Sequence, residues 1–146
     1  MTIKWQKEYS IGVVEIDLQH QELFSKLDDL LDSIEKGKGQ KALSDTYSFL
    51  DSYTRKHFIA EEGLQRKFKY PHSEINSEEH KSFIKNLGHL KSRLADNGPT
   101  DAMVKLTRDT LISWLIQHIC STDRQFGEFV KEHRNIQWDE WMKLQF

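Results

Sequence analysis

Six side chains with metal-binding chemistry stand where a helical protein ordinarily places leucine. His20, His57, His80 and His118 each interrupt an apolar series, Glu61 shares the series of His57, and Asp123 lies beside that of His118. Imidazoles and carboxylates are costly to remove from water unless they are paired or coordinated. One shared metal site would satisfy all of them together. A lone histidine on such a face is more often a hydrogen-bonded core residue, so spacing has to separate the two readings. Glu61 follows His57 by four residues, which puts both on one helix face. Asp123 follows His118 by five, which in an α-helix turns it ~140° away and leaves it at the edge of the seam. Glu62, one position on, reads as a solvated face residue. Oxygen and imidazole donors suit iron or manganese, and a single cysteine, Cys120, rules out an internal disulfide or a thiolate cluster.

The elements that must carry these residues are marked by three breakers: Gly37-Lys38-Gly39, Tyr70-Pro71 and Asp96-Asn97-Gly98-Pro99. They leave four long segments, about 17–36, 40–69, 73–96 and 100–131. Each has helical rather than strand periodicity. The first carries His20, Leu23, Leu27, Leu30 and Ile34. The second carries Leu43, Tyr47, Leu50, Thr54, His57, Glu61, Leu64 and Phe68. Asn76, His80, Phe83, Leu87, Leu90 and Leu94 form the third series. Val104, Leu111, Leu115, His118 and Thr122 form the fourth, widened by Trp114, Ile119 and Phe126. Long helices joined by short turns predict an all-α fold, an antiparallel up-down-up-down four-helix bundle. Asp17, Ser73 and Thr100 are candidate N-caps. Residues 1–16 read as an irregular N-terminal arm offering Trp5, Tyr9, Ile11, Val13 and Val14 to the bundle. The tail, with Trp138 and Trp141, reads as a short C-terminal helix.

In that bundle the four histidines share one level. His20 lies about 17 residues before the first turn and His57 about 17 after it; His80 lies about 17 before the third turn and His118 about 19 after it. At ~1.5 Å per residue each stands ~25–29 Å from the same end. Chance would seldom place four histidines so.

Bulk composition bounds the rest. The 146 residues predict a single domain spanning 1–146. They are 37% hydrophobic and 30% charged, with a formal net charge of −2. That mixed charge argues against a nucleic-acid or membrane-surface partner. No apolar run approaches the ~18 residues of a membrane span, and the first residues lack the apolar core of a signal peptide. The expectation is a cytoplasmic protein with no obligate protein partner, a monomer or weak oligomer.

At these residues the sequence resembles the hemerythrin family in its single-domain bacterial form. The resemblance runs from Trp5 to about Phe129. It is carried by Ile16-Asp17-Leu18-Gln19-His20 with Leu23-Phe24, by His57-Phe58-Ile59-Ala60-Glu61-Glu62, by Tyr70-Pro71, by His80 with Phe83, and by Trp114-Leu115-Ile116-Gln117-His118-Ile119 leading to Asp123. It implies a non-haem di-iron centre, two iron ions with a bridging oxo or hydroxo group, that binds O2 reversibly for storage, transport or sensing. His20 and His57 would hold the iron with the open position, His80 and His118 the other, and Glu61 and Asp123 would bridge the pair. Leu23, Phe83, Trp114 and Leu115 would line the O2 pocket. The family places a further histidine where this chain has Asn76. Either Asn76 ligates, or water fills the place, or that iron binds loosely. His72, ~12 Å of helical rise from His80, is too far to substitute and reads as a cap or a solvent-facing residue. His89 and His133 lie off the stripes. An enzyme acting on peroxide or nitric oxide, or an O2 or redox sensor module working through a separate partner, are the competing readings. No additional general acid or base is visible near the seam. Cys120 reads as an inert packed thiol.

Overall fold

The computed structural model describes residues 3–133, which hold four long helices and no strand. Helix α1 spans Val14–Glu35, α2 spans Gly39–Lys67 and α3 spans Ser73–Asn97. The fourth helix covers 101–133 without a break but changes its winding. It is α over Asp101–Thr107, π over Arg108–Ile112, α over Ser113–His118, π over Ile119–Asp123, and α again to residue 133. Sequential helices pack side by side as the short turns require, giving the expected up-down bundle. Leu23, Leu27, Leu50, Phe83, Leu87, Leu111 and Leu115 belong to one continuous buried core.

The turns show why the helices stop where they do. Lys69 adopts a left-handed φ of 56°, and Tyr70 donates its N–H to the Gln65 carbonyl at 2.9 Å, which ends α2 in a Schellman-type turn and delivers Tyr70 into the interior. Gly98, at φ 75°, ends α3, and Thr100 then caps the fourth helix by accepting the Met103 N–H at 3.2 Å. Thr100 is the one candidate cap that behaves as expected. Ser73 lies inside α3, whose N-cap is His72, and the exposed His72 side chain makes no capping bond. Asp17 is no cap either, because α1 begins three residues earlier than 17. Its carboxylate reaches back to accept the Ile11 N–H at 2.8 Å and the Ser10 hydroxyl at 2.5 Å, tying the arm to the helix.

The arm packs as expected at Ile11 and Val13, which join Ile16, Tyr70, Phe126 and Val130 in a second apolar cluster near the end of the bundle. Trp5 and Tyr9 lie on the main core, Tyr9 in a short 3-10 turn at Lys7–Tyr9. Val14 does not join them; it opens α1 and is 61% exposed. Gly127 lets the arm close: a Cβ there would stand 1.8 Å from the Ile11 carbonyl oxygen. The expected C-terminal helix with Trp138 and Trp141 lies outside the described residues.

Two stripes are shifted from the sequence expectation. In α2 the chain buries Gln65 completely and leaves Leu64 half-buried. In the fourth helix the core-facing residue is Met103 rather than Val104, followed by Thr107 and Leu111. A π turn adds one residue to the repeat, so counting back from Leu111 through Arg108–Ile112 moves the buried position by one.

Candidate metal centre

All four histidines, with Glu61 and Asp123, are buried at one level between the helices, each at most 4% exposed. His20 comes from α1, His57 and Glu61 from α2, His80 from α3, and His118 and Asp123 from the fourth helix. The imidazoles meet in pairs through Nε2: His20 and His57 at 3.0 Å, His80 and His118 at 3.2 Å. Between the pairs the two carboxylates divide their oxygens. Glu61 Oε2 lies 3.3 Å from His57 Nε2, and Glu61 Oε1 lies 3.8 Å from His80 Nε2. Asp123 Oδ2 lies 3.3 Å from His20 Nε2, and Asp123 Oδ1 lies 2.9 Å from His118 Nε2. Two donor groups result, His20-His57-Glu61-Asp123 and His80-His118-Glu61-Asp123, each with its ligand atoms within 4.8 Å of one another.

Asp123 reaches this place because the helix is π-wound between it and His118. A residue five positions on then returns over its starting point, which an α-turn would not allow. The ~140° offset expected from uniform α-winding is thereby largely removed.

The partners of two outer imidazole nitrogens leave the inner ones as the nitrogens that would bind a cation. His57 Nδ1 lies 2.6 Å from Gln19 Oε1, and His118 Nδ1 lies 2.5 Å from Glu79 Oε2. Both partners are acceptors, so each Nδ1 can hold a proton, which leaves each Nε2 as the nitrogen that would offer its lone pair to a bound cation. Burial, reinforced by the neighbouring imidazoles, lowers His57 to about 3, and burial with His118 lowers His80 to about 3. Both are therefore neutral ligands at physiological pH. Burial opposes ionisation of His118, but the Asp123 charge and the bonds to Asp123 and Glu79 prevail and raise it. Burial and the adjacent Asp123 push Glu61 well above the ordinary carboxylate range. Asp123 is buried too, yet His118 and hydrogen bonds from its neighbours hold it well below that range. Two buried carboxylates that cannot both ionise comfortably are the electrostatic signature of a place for added positive charge. Glu61 Oε2 and Asp123 Oδ2, both buried, make no hydrogen bond at all. The donor set fits divalent cations with nitrogen and oxygen ligands.

Asn76, the ambiguous position, is fully buried beside the carboxylates. Its amide donates to Glu61 Oε1 at 2.9 Å and Asp123 Oδ1 at 3.5 Å. His72 and His89 are exposed, and His133 is half-buried against Phe129, so none of them approaches the cluster. Glu62 is not the plain face residue its position suggests: it is half-buried, with Oε1 3.8 Å from His80 Nδ1. Leu23, Phe83 and Leu115 are buried in the core beside the histidines, and Trp114 packs against them and stacks on His118 with centroids 4.6 Å apart. Phe58 escaped the sequence reading of this wall. It stacks on His80 at 3.9 Å and meets Phe83 edge-on at 5.7 Å. Gln19, Gln65 and Glu79 also escaped it; only Gln65, four residues after Glu61, carried a periodic signal.

A protein-family model described as the hemerythrin HHE cation binding domain matches residues 11–130 of this chain. The chain belongs to the hemerythrin family. Among its relatives, the bacteriohemerythrin of Stenotrophomonas maltophilia is 29% identical over 132 residues, 90% of this chain and 83% of that protein. The bacteriohemerythrin of Pseudomonas paraeruginosa is 27% identical over 127 residues, 87% of this chain and 80% of that one. The myohemerythrin of Theromyzon tessulatum is 24% identical over 123 residues, 84% of this chain and 89% of that one. Hemerythrin domains hold a di-iron centre, and the His, Glu and Asp cluster described above is a donor set that could hold such a pair. Among the described residues no helix is long and apolar enough to cross a membrane.

Proposed function

We propose that this hemerythrin holds two iron ions, one by His20 and His57, the other by His80 and His118, with Glu61 and Asp123 shared between them, and binds O2 reversibly. The observation that carries this reading is the division of oxygens: each carboxylate turns one oxygen toward each imidazole pair. Structural ion pairing would need no such symmetry. An ion beside His20 and His57 would be the one left with room for O2, because the buried carboxamide of Asn76 lies against the two oxygens on the other side.

When bound, the iron pair supplies the electrons that make O2 attachment favourable. The chain's own residues supply the conditions for release. Leu23, Phe58, Phe83, Trp114 and Leu115 keep the surroundings apolar, which limits water and escape of charged products. Gln19 and Glu79 keep two imidazoles in the ligating tautomer. Storage, transport and sensing all use this same chemistry, and none requires a catalytic residue.

The test is an anaerobic iron count per chain, then a visible spectrum on admitting air and again under vacuum. Two irons per chain with an absorption that appears in air and vanishes under vacuum is the expected result. A folded chain that takes up no iron, or a spectrum that air changes irreversibly at once, overturns it.

A further inference from the structure

Two buried carboxamides share the site, and packing gives neither a role. Asn76 on α3 and Gln65 on α2 are both fully buried. Both aim their NH2 at one atom, Glu61 Oε1, at 2.9 Å and 3.4 Å. Each leaves its carbonyl oxygen buried without a hydrogen-bond partner. Unpartnered buried acceptors are rare and call for a cause. Here two occur together, beside a cluster of imidazoles and carboxylates.

We propose that the Asn76–Gln65 pair makes the cation position beside His80 and His118 oxygen-rich, with Asn76 Oδ1 as a further ligand and Gln65 as the residue that orients Glu61 Oε1 there, so that this position accepts Mn2+ next to an iron held by His20 and His57. The inference rests on the two-cation reading above. A half-turn about the last side-chain bond exchanges the nitrogen and oxygen of a carboxamide and leaves its skeleton in place. Asn76 Oδ1 then stands where Nδ2 does, 2.9 Å from Glu61 Oε1 and 3.5 Å from Asp123 Oδ1. Neighbouring ligands on an octahedral cation with bonds of ~2.0–2.1 Å are about 3 Å apart. These are also the two oxygens turned toward His80 and His118, so the position served is unambiguous. Once the Asn76 NH2 has turned away, Glu61 Oε1 keeps the Gln65 NH2 at 3.4 Å as its amide partner. One rotation turns the orphaned Asn76 oxygen toward the cation position.

The chemistry follows from the donor exchange. A neutral carbonyl oxygen in place of an imidazole nitrogen favours harder cations, and Mn2+ is the harder neighbour of iron. Beside His20 and His57 the Gln19 carboxamide meets only the outer Nδ1 of His57, so that position keeps its preference for iron. The two halves of the centre thereby differ in a way that the four histidines alone would not produce.

The test uses the full chain, stripped of metal and reloaded anaerobically with about a ten-fold excess of Mn2+ over Fe2+ to offset the weaker intrinsic affinity of manganese. Metals are counted after desalting, and bound Mn2+ is read by electron paramagnetic resonance. The wild type is expected to keep one manganese and one iron per chain. Asn76→His should exclude manganese and take two irons. Gln65→Leu, which leaves every ligand in place, should lower Mn2+ affinity by about 10–100-fold, the usual effect of removing an orienting partner. Two irons and no manganese in the wild type, or the same metal ratio in wild type and Asn76→His, overturns the proposal while leaving the two-cation centre standing. Uptake of neither metal by a chain that circular dichroism shows to be folded overturns both.

Discussion

Two imidazoles of the cluster, His57 and His118, are held from outside by neighbouring side chains, and that division of labour is testable one residue at a time. His57 and His118 reach the centre through Nε2 only while Nδ1 keeps its proton, and Gln19 and Glu79 enforce this from outside. Neither outer residue touches a cation position. Gln19→Leu and Glu79→Ala are each expected to weaken iron binding by about 10–100-fold, with the helical content unchanged. Competition against a calibrated chelator measures the loss. Affinity equal to wild type in both variants would mean that packing alone holds the rings. Phe58 and Trp114 stack on His80 and His118, so packing is the real competitor.

At the scale of the helix, the decisive feature is the winding between His118 and Asp123. A π turn carries one residue more than an α turn, and here that residue brings the carboxylate back over its histidine. Deleting the exposed Ser121 should therefore let the segment relax to α-helix with the aspartate four positions after His118, still on the same face. The deletion is expected to retain metal, counted after reloading, with a modest loss of stability from the hydroxyl bond to the Gln117 carbonyl. Were the segment α-wound to begin with, the same deletion would swing the carboxylate by about 100° and abolish binding. The opposite outcomes make this a direct test of the winding.

For the molecule as a whole, the cost of assembling the site without metal should appear in its pH dependence. His57 and His80 resist protonation in the folded chain down to about 3, whereas unfolded histidine titrates near ~6.5. Between those values the unfolded chain binds more protons, so stability falls as pH falls. Asp123, depressed in the folded state, adds to the loss below the ordinary carboxylate range. Glu61 acts the other way: raised in the fold, it makes the chain less stable as pH rises above its unfolded value. His118, raised as well, opposes the trend only toward the top of the window, where the unfolded imidazole begins to lose its proton and the folded one keeps it. Two imidazoles outweigh one carboxyl. The metal-free chain is thus expected to unfold at lower denaturant concentration at pH 5 than at pH 6.5. The His57→Gln, His80→Gln double variant should abolish that difference or reverse it, since Glu61 then acts unopposed, and an undiminished slope in it would assign the effect elsewhere.

The sequence alone determined the four helices, their order and the level at which His20, His57, Glu61, His80 and His118 meet. Rise per residue and breaker positions are local quantities, and a bundle converts them directly into height. Tertiary structure decided what depends on azimuth and on partners from other helices. Periodicity assumed uniform α-winding, so it set Asp123 at the seam's edge and took Val104 for Met103; two π turns corrected both. Leu64 was expected inside because it is apolar, but the polar Gln65 is buried there, facing the carboxylates. Asp17 looked like a cap by type, and only the folded arm gave its carboxylate Ile11 and Ser10 to hold. Likewise Gln19, Glu79 and Phe58 gained their roles from neighbours on other elements, a relation that no spacing along one chain segment encodes.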